Sequence, residues 1–164
     1  MKNFNIELKW AAIFSVISLI WMYIEKSLGW HSTAIFKHQI FTNLIIIPLL
    51  FIVILTFGLR EKRKTKYSYS MTWEQGLISG GVISVIICIL TPLLQYNFAE
   101  VISPEYFDLA AKQLSERGGT SLKSAHDVYN LKANIIDAVV FNLAMGIVTS
   151  AIIAAILKKP ASKD

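Results

Sequence analysis

Residues Gly76–Phe98 read GLISGGVISVIICILTPLLQYNF, an apolar run without a charged side chain. A helix crossing a bilayer needs roughly 20 such residues to span a hydrocarbon core about 30 Å thick. Lipid offers peptide groups no hydrogen bonds, so such a run must coil. Working outward, three more runs are predominantly apolar and of similar length: Leu8–Leu28, Phe41–Leu59 and Ile135–Leu157. They predict an all-α fold, an integral membrane four-helix transmembrane bundle that forms one domain over residues 1–164. Residues 60–74 and 99–134 are its two longer connections.

Composition agrees. The chain is 54% hydrophobic and 16% charged, with mean hydropathy +0.52, whereas soluble domains carry roughly 25% charged residues. The net charge of +5 sits at span ends, as membrane orientation requires, and no nucleic-acid signature accompanies it. The partners this implies are membrane lipids, with either further copies of the chain or other membrane proteins, and no nucleic acid. Cys88, the lone cysteine, has no partner for a disulfide within the chain and reads as a small buried residue. The first run ends in Trp21-Met22-Tyr23-Ile24-Glu25-Lys26 and no small-residue cleavage site follows, so it reads as a retained helix.

Positive charge sets the orientation. Lys2, Lys9, the run Arg60-Glu61-Lys62-Arg63-Lys64-Thr65-Lys66, and Lys158, Lys159 and Lys163 fall on one side. The other side has Lys26, Lys37 and four cations dispersed among acids between Lys112 and Lys132. Positive-inside counting places both termini and the 60–74 loop in the cytoplasm and the 99–134 loop outside, in a bacterial inner membrane. Trp10 and Trp73 mark the inner boundary; Trp21, Trp30 and Tyr96 mark the outer one.

The outer loop has local signals. Ser103-Pro104-Glu105 offers an N-cap, a proline at the first helical position and an acid in the first turn. Phe107, Ala110, Ala111 and Leu114 share one face, opposite Asp108, Lys112 and Glu116, and Gly118-Gly119 stops the run. This predicts a short outward-facing amphipathic helix between the third and fourth spans. Ser124-x-x-Asp127 reads as a capping box opening the fourth helix near Ala125.

Several constellations are candidates for a role. Gly76, Gly80, Ser84 and Cys88 form a ladder of small side chains in the third span, and Ala138, Asn142, Gly146, Ser150 and Ala154 form another in the fourth. Such stripes let backbones approach closely in lipid; we expect these two to face each other, the alternatives being a homodimer seam and chance. Gln95 falls level with Asp137, where the two can hydrogen-bond, and Asn142 lies deeper, within reach of a backbone carbonyl or Ser84. Interfacial glue is the plainer reading of these polar groups, an access point for ions or protons the functional one. Arg60, Lys62, Arg63, Lys64 and Lys66 anchor topology or hold anionic headgroups. His31, His38 and His126 are candidate metal ligands, with Glu25, Glu100 and Asp127 nearby in the loops, although their spacing matches no compact motif. Pro48 and Pro92 predict kinks by freeing the carbonyls of Leu44 and Cys88.

Three stretches carry a likeness: Thr72-Trp73-Glu74-Gln75-Gly76, Ile102-Ser103-Pro104-Glu105-Tyr106, and Ala151-Ile152-Ile153-Ala154-Ala155-Ile156-Leu157-Lys158-Lys159. With them the chain resembles a family of small four-helix inner-membrane proteins from Bacteroidota, catalogued as a domain of unknown function. The resemblance implies the fold and carries over no activity and no site residue. No phosphate cradle, nucleophile elbow or deep carboxylate pair is present, so neither an enzyme nor a cofactor is expected. The leading expectation is a non-enzymatic membrane assembly, interaction or envelope accessory protein. The alternatives are a small transporter or channel subunit working as an oligomer, and an outward-facing metal or ligand binder.

Overall fold

The computed structural model describes residues 4–159; Lys2 and Lys163 lie outside them. Among the described residues the regular structure is helical, apart from one antiparallel bridge between Met71 and Lys159. Helix α1 is Asn5–Ser27, α2 is Ile35–Lys66 and α3 is Trp73–Ile102. Two short helices, α4 (Tyr106–Gly118) and α5 (Leu122–Val128), lead into α6 (Leu131–Leu157). Helices α1, α2 and α3 and the stretch Leu122–Leu157 are each long and apolar enough to cross a membrane.

Helix α6 lies along α3 and also touches α2; α1 packs on α2 and α3. Small side chains permit the α3–α6 approach. A Cβ added at Gly76 would lie 2.8 Å from that of Ala154, and one at Gly80 would lie 2.7 Å from that of Ser150. Gly146 faces Ser84 in the same way. On the other side of α3, Phe14 of α1 meets Phe51 of α2 with ring centroids 4.7 Å apart, and Ile54, Leu55, Ile83 and Ile87 complete a dry core.

One end of the bundle is strongly basic. There α2 remains helical through Arg60–Lys66, and the turn to α3 passes through left-handed backbone at Ser68 and Tyr69. Thr72 and Gln75 close a reciprocal capping box at the start of α3. Arg63 donates to the Leu157 carbonyl at 2.8 Å, satisfying one of the carbonyls that the end of α6 leaves open. Trp73 Nε1 donates to Ala151 O at 3.0 Å.

At the far end, side-chain chemistry shifts two predicted boundaries. Helix α4 starts at Tyr106, capped at Glu105, because the Ser103 hydroxyl bonds His31 and is not free to cap. The Ser124 capping box does not open the last helix. Ser121 caps α5, accepting from Ser124 N at 3.2 Å. The chain then breaks at Asn130, whose Oδ1 accepts from Ala133 N at 2.9 Å while its Nδ2 donates to the His126 and Asp127 carbonyls at 3.0 Å. One asparagine therefore closes α5 and opens α6. In α2 the turns His38–Ile46 are π-helical, with amides reaching one residue further back, and Pro48 lies in the first turn of the α-helical remainder. Pro92 lies inside α3, next to Thr91, whose hydroxyl donates to the Ile87 carbonyl at 2.9 Å.

Candidate functional site

The end opposite the basic cluster holds a carboxylate sealed from solvent. Glu25 is in the last turn of α1 and is 0% exposed. Helix α1 ends there in a Schellman turn: Trp30 N donates to Glu25 O and Gly29 N to Lys26 O, each at 3.0 Å, with Gly29 at φ +71°. The turn folds the chain back, so that His31 lies under the helix it has just left. The π-helical opening of α2 then brings His38 and Thr42 to the same carboxylate. Glu25 Oε1 is 3.0 Å from His38 Nδ1 and also accepts the Thr42 hydroxyl. Trp21 Nε1 donates to Thr42 Oγ1 at 3.1 Å and fixes that hydroxyl's orientation.

His31 is 4% exposed. Its Nδ1 is 2.6 Å from Ser103 Oγ, at the foot of the π turn that ends α3. Its Nε2 points at Glu25 Oε2 from 3.5 Å, and neither atom has a hydrogen-bond partner among the described residues. A ligand atom from each of Glu25, His31 and His38 lies within 4.8 Å of the others, a donor set able to hold a metal ion. Aromatic rings wall the group: Phe98 stacks on His38 with centroids 5.9 Å apart and meets His31 edge-on at 4.9 Å. Tyr106 packs against both imidazoles, and burial pushes its phenol well above the usual tyrosine range.

Below this group a cavity of about 460 Å³ opens between α1, α2, α3 and α6. Phe14 and the Asn142–Thr91 pair, hydrogen-bonded at 3.0 Å, line its deep end. Glu25, His38, Gln39 and Thr42 line its upper wall, and exposed Asp137 is at its rim. Ser18 also faces it and has no hydrogen-bond partner among the described residues. No Lys or Arg lines it among the described residues.

The sequence-derived candidates separate accordingly. His31 and His38 come together with Glu25; His126 does not, lying 3.9 Å from exposed Asp108, and Glu100 and Asp127 are exposed elsewhere. Gln95 accepts from Asn134 at 2.7 Å, and among the described residues no hydrogen bond joins it to Asp137. Asn142 donates to Thr91, while the Ser84 hydroxyl turns to the Gly80 carbonyl. Cys88 Sγ sits 3.5 Å from the Val139 carbonyl. In the basic run, Lys62 is buried and Arg63 is taken up by α6, leaving Arg60, Lys64 and Lys66 exposed.

The buried partner of Lys62 escaped sequence reading. Glu7, 1% exposed, lies 2.7 Å from Lys62 Nζ, and its Oε1 also accepts from Ser79 at 2.6 Å. The available signal was spacing: Glu7, Ala11, Phe14, Ser18 and Glu25 recur on one face of α1, so both acids point inward. Thr42, Trp21 and Ser103 gave no comparable signal. Comparison with curated proteins finds no match, and comparison with solved structures finds none. A family model does match, over residues 9–159. The chain belongs to the family described as protein of unknown function (DUF4199).

Proposed function

We propose that this is a multi-pass protein of a bacterial inner membrane, with cytoplasmic termini, that binds a small cationic ligand from the outer side. It acts by binding rather than by catalysis. The observation that carries this reading is the cavity: a buried carboxylate, Glu25, and a rim carboxylate, Asp137, with no Lys or Arg among its described lining residues. At about 460 Å³ it has the size of a small-molecule site. Its negative walls in a low-dielectric surround raise the local concentration of cations.

Insertion is supported by the outer surfaces of the long helices, where Leu44 is 69% and Ile89 and Ile156 are 70% exposed. Such continuous apolar surface suits lipid and not water. Exposed Arg60, Lys64, Lys66, Lys158 and Lys159 at one end support a cytoplasmic assignment for that end. The cavity, α4 and α5 then face outward.

The test uses Ser18→Cys in a Cys88→Ala background, in intact cells. A cationic methanethiosulfonate should label position 18 about tenfold faster than an anionic one, after each rate is divided by its rate on a free thiol. Equal normalised rates, or no labelling by either reagent, would overturn the reading.

A further inference from the structure

We propose that Glu25, His31 and His38 form a site for a divalent first-row transition cation of the Zn²⁺ class, with an open coordination position toward the cavity. The proposal rests on the cation-accepting reading of that cavity and names its ligand.

The donor types suit such an ion. Two imidazoles and one carboxylate are the set that Zn²⁺ and its neighbours use when three protein ligands leave a position open for water or substrate. Ca²⁺ and Mg²⁺ require six or more ligands dominated by oxygen, which this group does not offer. Spacing agrees: a tetrahedron with bonds near 2.0 Å has edges of about 3.3 Å. The Glu25 Oε1–His38 Nδ1 and Glu25 Oε2–His31 Nε2 separations of 3.0 and 3.5 Å, each to its own carboxylate oxygen, lie near that value, and one donor atom from each residue lies within 4.8 Å of the others, so side-chain rotation closes the set around an ion.

Two buried atoms stand ready for a ligand. Glu25 Oε2 and His31 Nε2 face each other without a hydrogen-bond partner among the described residues, and their side chains are 0% and 4% exposed. Unsatisfied polar atoms at that depth destabilise the fold. A cation between them relieves both.

The surrounding shell is also in place. Metal-bound histidines use their second nitrogen to donate to a fixed acceptor, which sets the tautomer. His31 Nδ1 is 2.6 Å from Ser103 Oγ, and the tautomer that a bound ion selects donates Nδ1–H to that oxygen and turns the Nε2 lone pair toward the ion. Thr42 holds the carboxylate and is itself held by Trp21. His38 is the ligand that must change: its Nδ1 proton moves to Nε2 or leaves, and the freed lone pair joins the ion.

The test is a titration of the chelator-stripped full-length protein in detergent with Co²⁺, followed by its visible bands, and with Zn²⁺ by calorimetry. One equivalent should bind, and X-ray absorption of the Co²⁺ form should show two imidazoles. Glu25→Gln, His31→Ala and His38→Ala should each weaken binding by at least about 100-fold, and Ser103→Ala by about 10–100-fold. His126→Ala should change nothing. Absence of binding to monodisperse wild-type protein would overturn the site, as would equal affinity in the His31 and His38 variants. Where a ligand variant does not fold, the wild-type spectrum decides, and fewer than two imidazoles sinks the proposal. A simple imidazolium–carboxylate pair would give that negative result. If metal fails while Ser18→Cys still prefers the cationic reagent, the metal assignment falls and the cavity reading stands.

Discussion

Lys62 and Glu7 are a buried ion pair, and pairs of this kind are sensitive to losing one partner. Removing one charge leaves the other stranded, at a cost of about 3–5 kcal/mol, whereas replacing both by apolar groups of similar volume is often neutral. Lys62→Ala should therefore lower the unfolding midpoint in detergent far more than Glu7→Gln/Lys62→Met does. Equal losses in the two proteins would remove the pair from the account of stability. Gly29 is the second sensitive position. At φ +71° a side chain costs about 1–2 kcal/mol, and its Cβ would meet Thr33 Oγ1 at 3.1 Å. Gly29→Ala should destabilise by that amount and should also weaken Zn²⁺ binding, because the turn it closes delivers His31. Neither position announces itself in the sequence. Glu7 opens α1 and Lys62 lies near the end of α2, so the pair forms only once the αα hairpin has closed; spacing turns Glu7 inward, but only packing shows Lys62 meeting it.

Among the elements, α3 provides a sharp contrast. Gly80 and Gly81 are adjacent, yet an added Cβ at Gly80 meets Ser150, whereas one at Gly81 meets nothing within 4 Å. Gly80→Val should push α6 away and cost about 1–3 kcal/mol. Gly81→Ala should leave stability unchanged or raise it by up to about 1 kcal/mol through helix propensity. Differential scanning in one detergent distinguishes them, and similar behaviour of the two variants would contradict the packing. The four-residue spacing of Gly76, Gly80 and Ser84 is visible in the sequence. That α6 and not a second chain fills this groove is a property of the fold. The helix starts at the far end were less legible because single side chains had two candidate duties. Ser103 reads as a cap until His31 is found beside it, and Ser124 reads as a cap until Asn130 is seen to hold both neighbouring helices.

For the molecule as a whole, orientation is the measurable claim. A phosphatase inserted after Gly119 should be active outside the cytoplasm, and one fused after Asp164 should be inactive. The reverse pattern would invert the bundle and turn the cavity inward. The long apolar runs were legible because a bilayer demands length and greasiness whatever the packing. The donor group was legible only in part. His31 and His38 stood out as residue types, but nothing in their spacing separated them from His126. What separates them is that the α1–α2 turn is tight, while α5 lies on α4 and turns His126 toward Asp108. The group is also stitched together from distant stretches of chain: the last turn of α1, the turn after it, the head of α2, and, through Ser103, the foot of α3. An ion settling there would act as a drawstring, cinching three helix ends that otherwise meet only through side chains. Because only the folded chain presents all the donors, occupancy would add RT ln(1 + [L]/Kd) to stability, about 2.7 kcal/mol at a hundredfold excess over Kd. Scarcity of the ion would then slacken the mouth of the bundle first, leaving its basic end knotted.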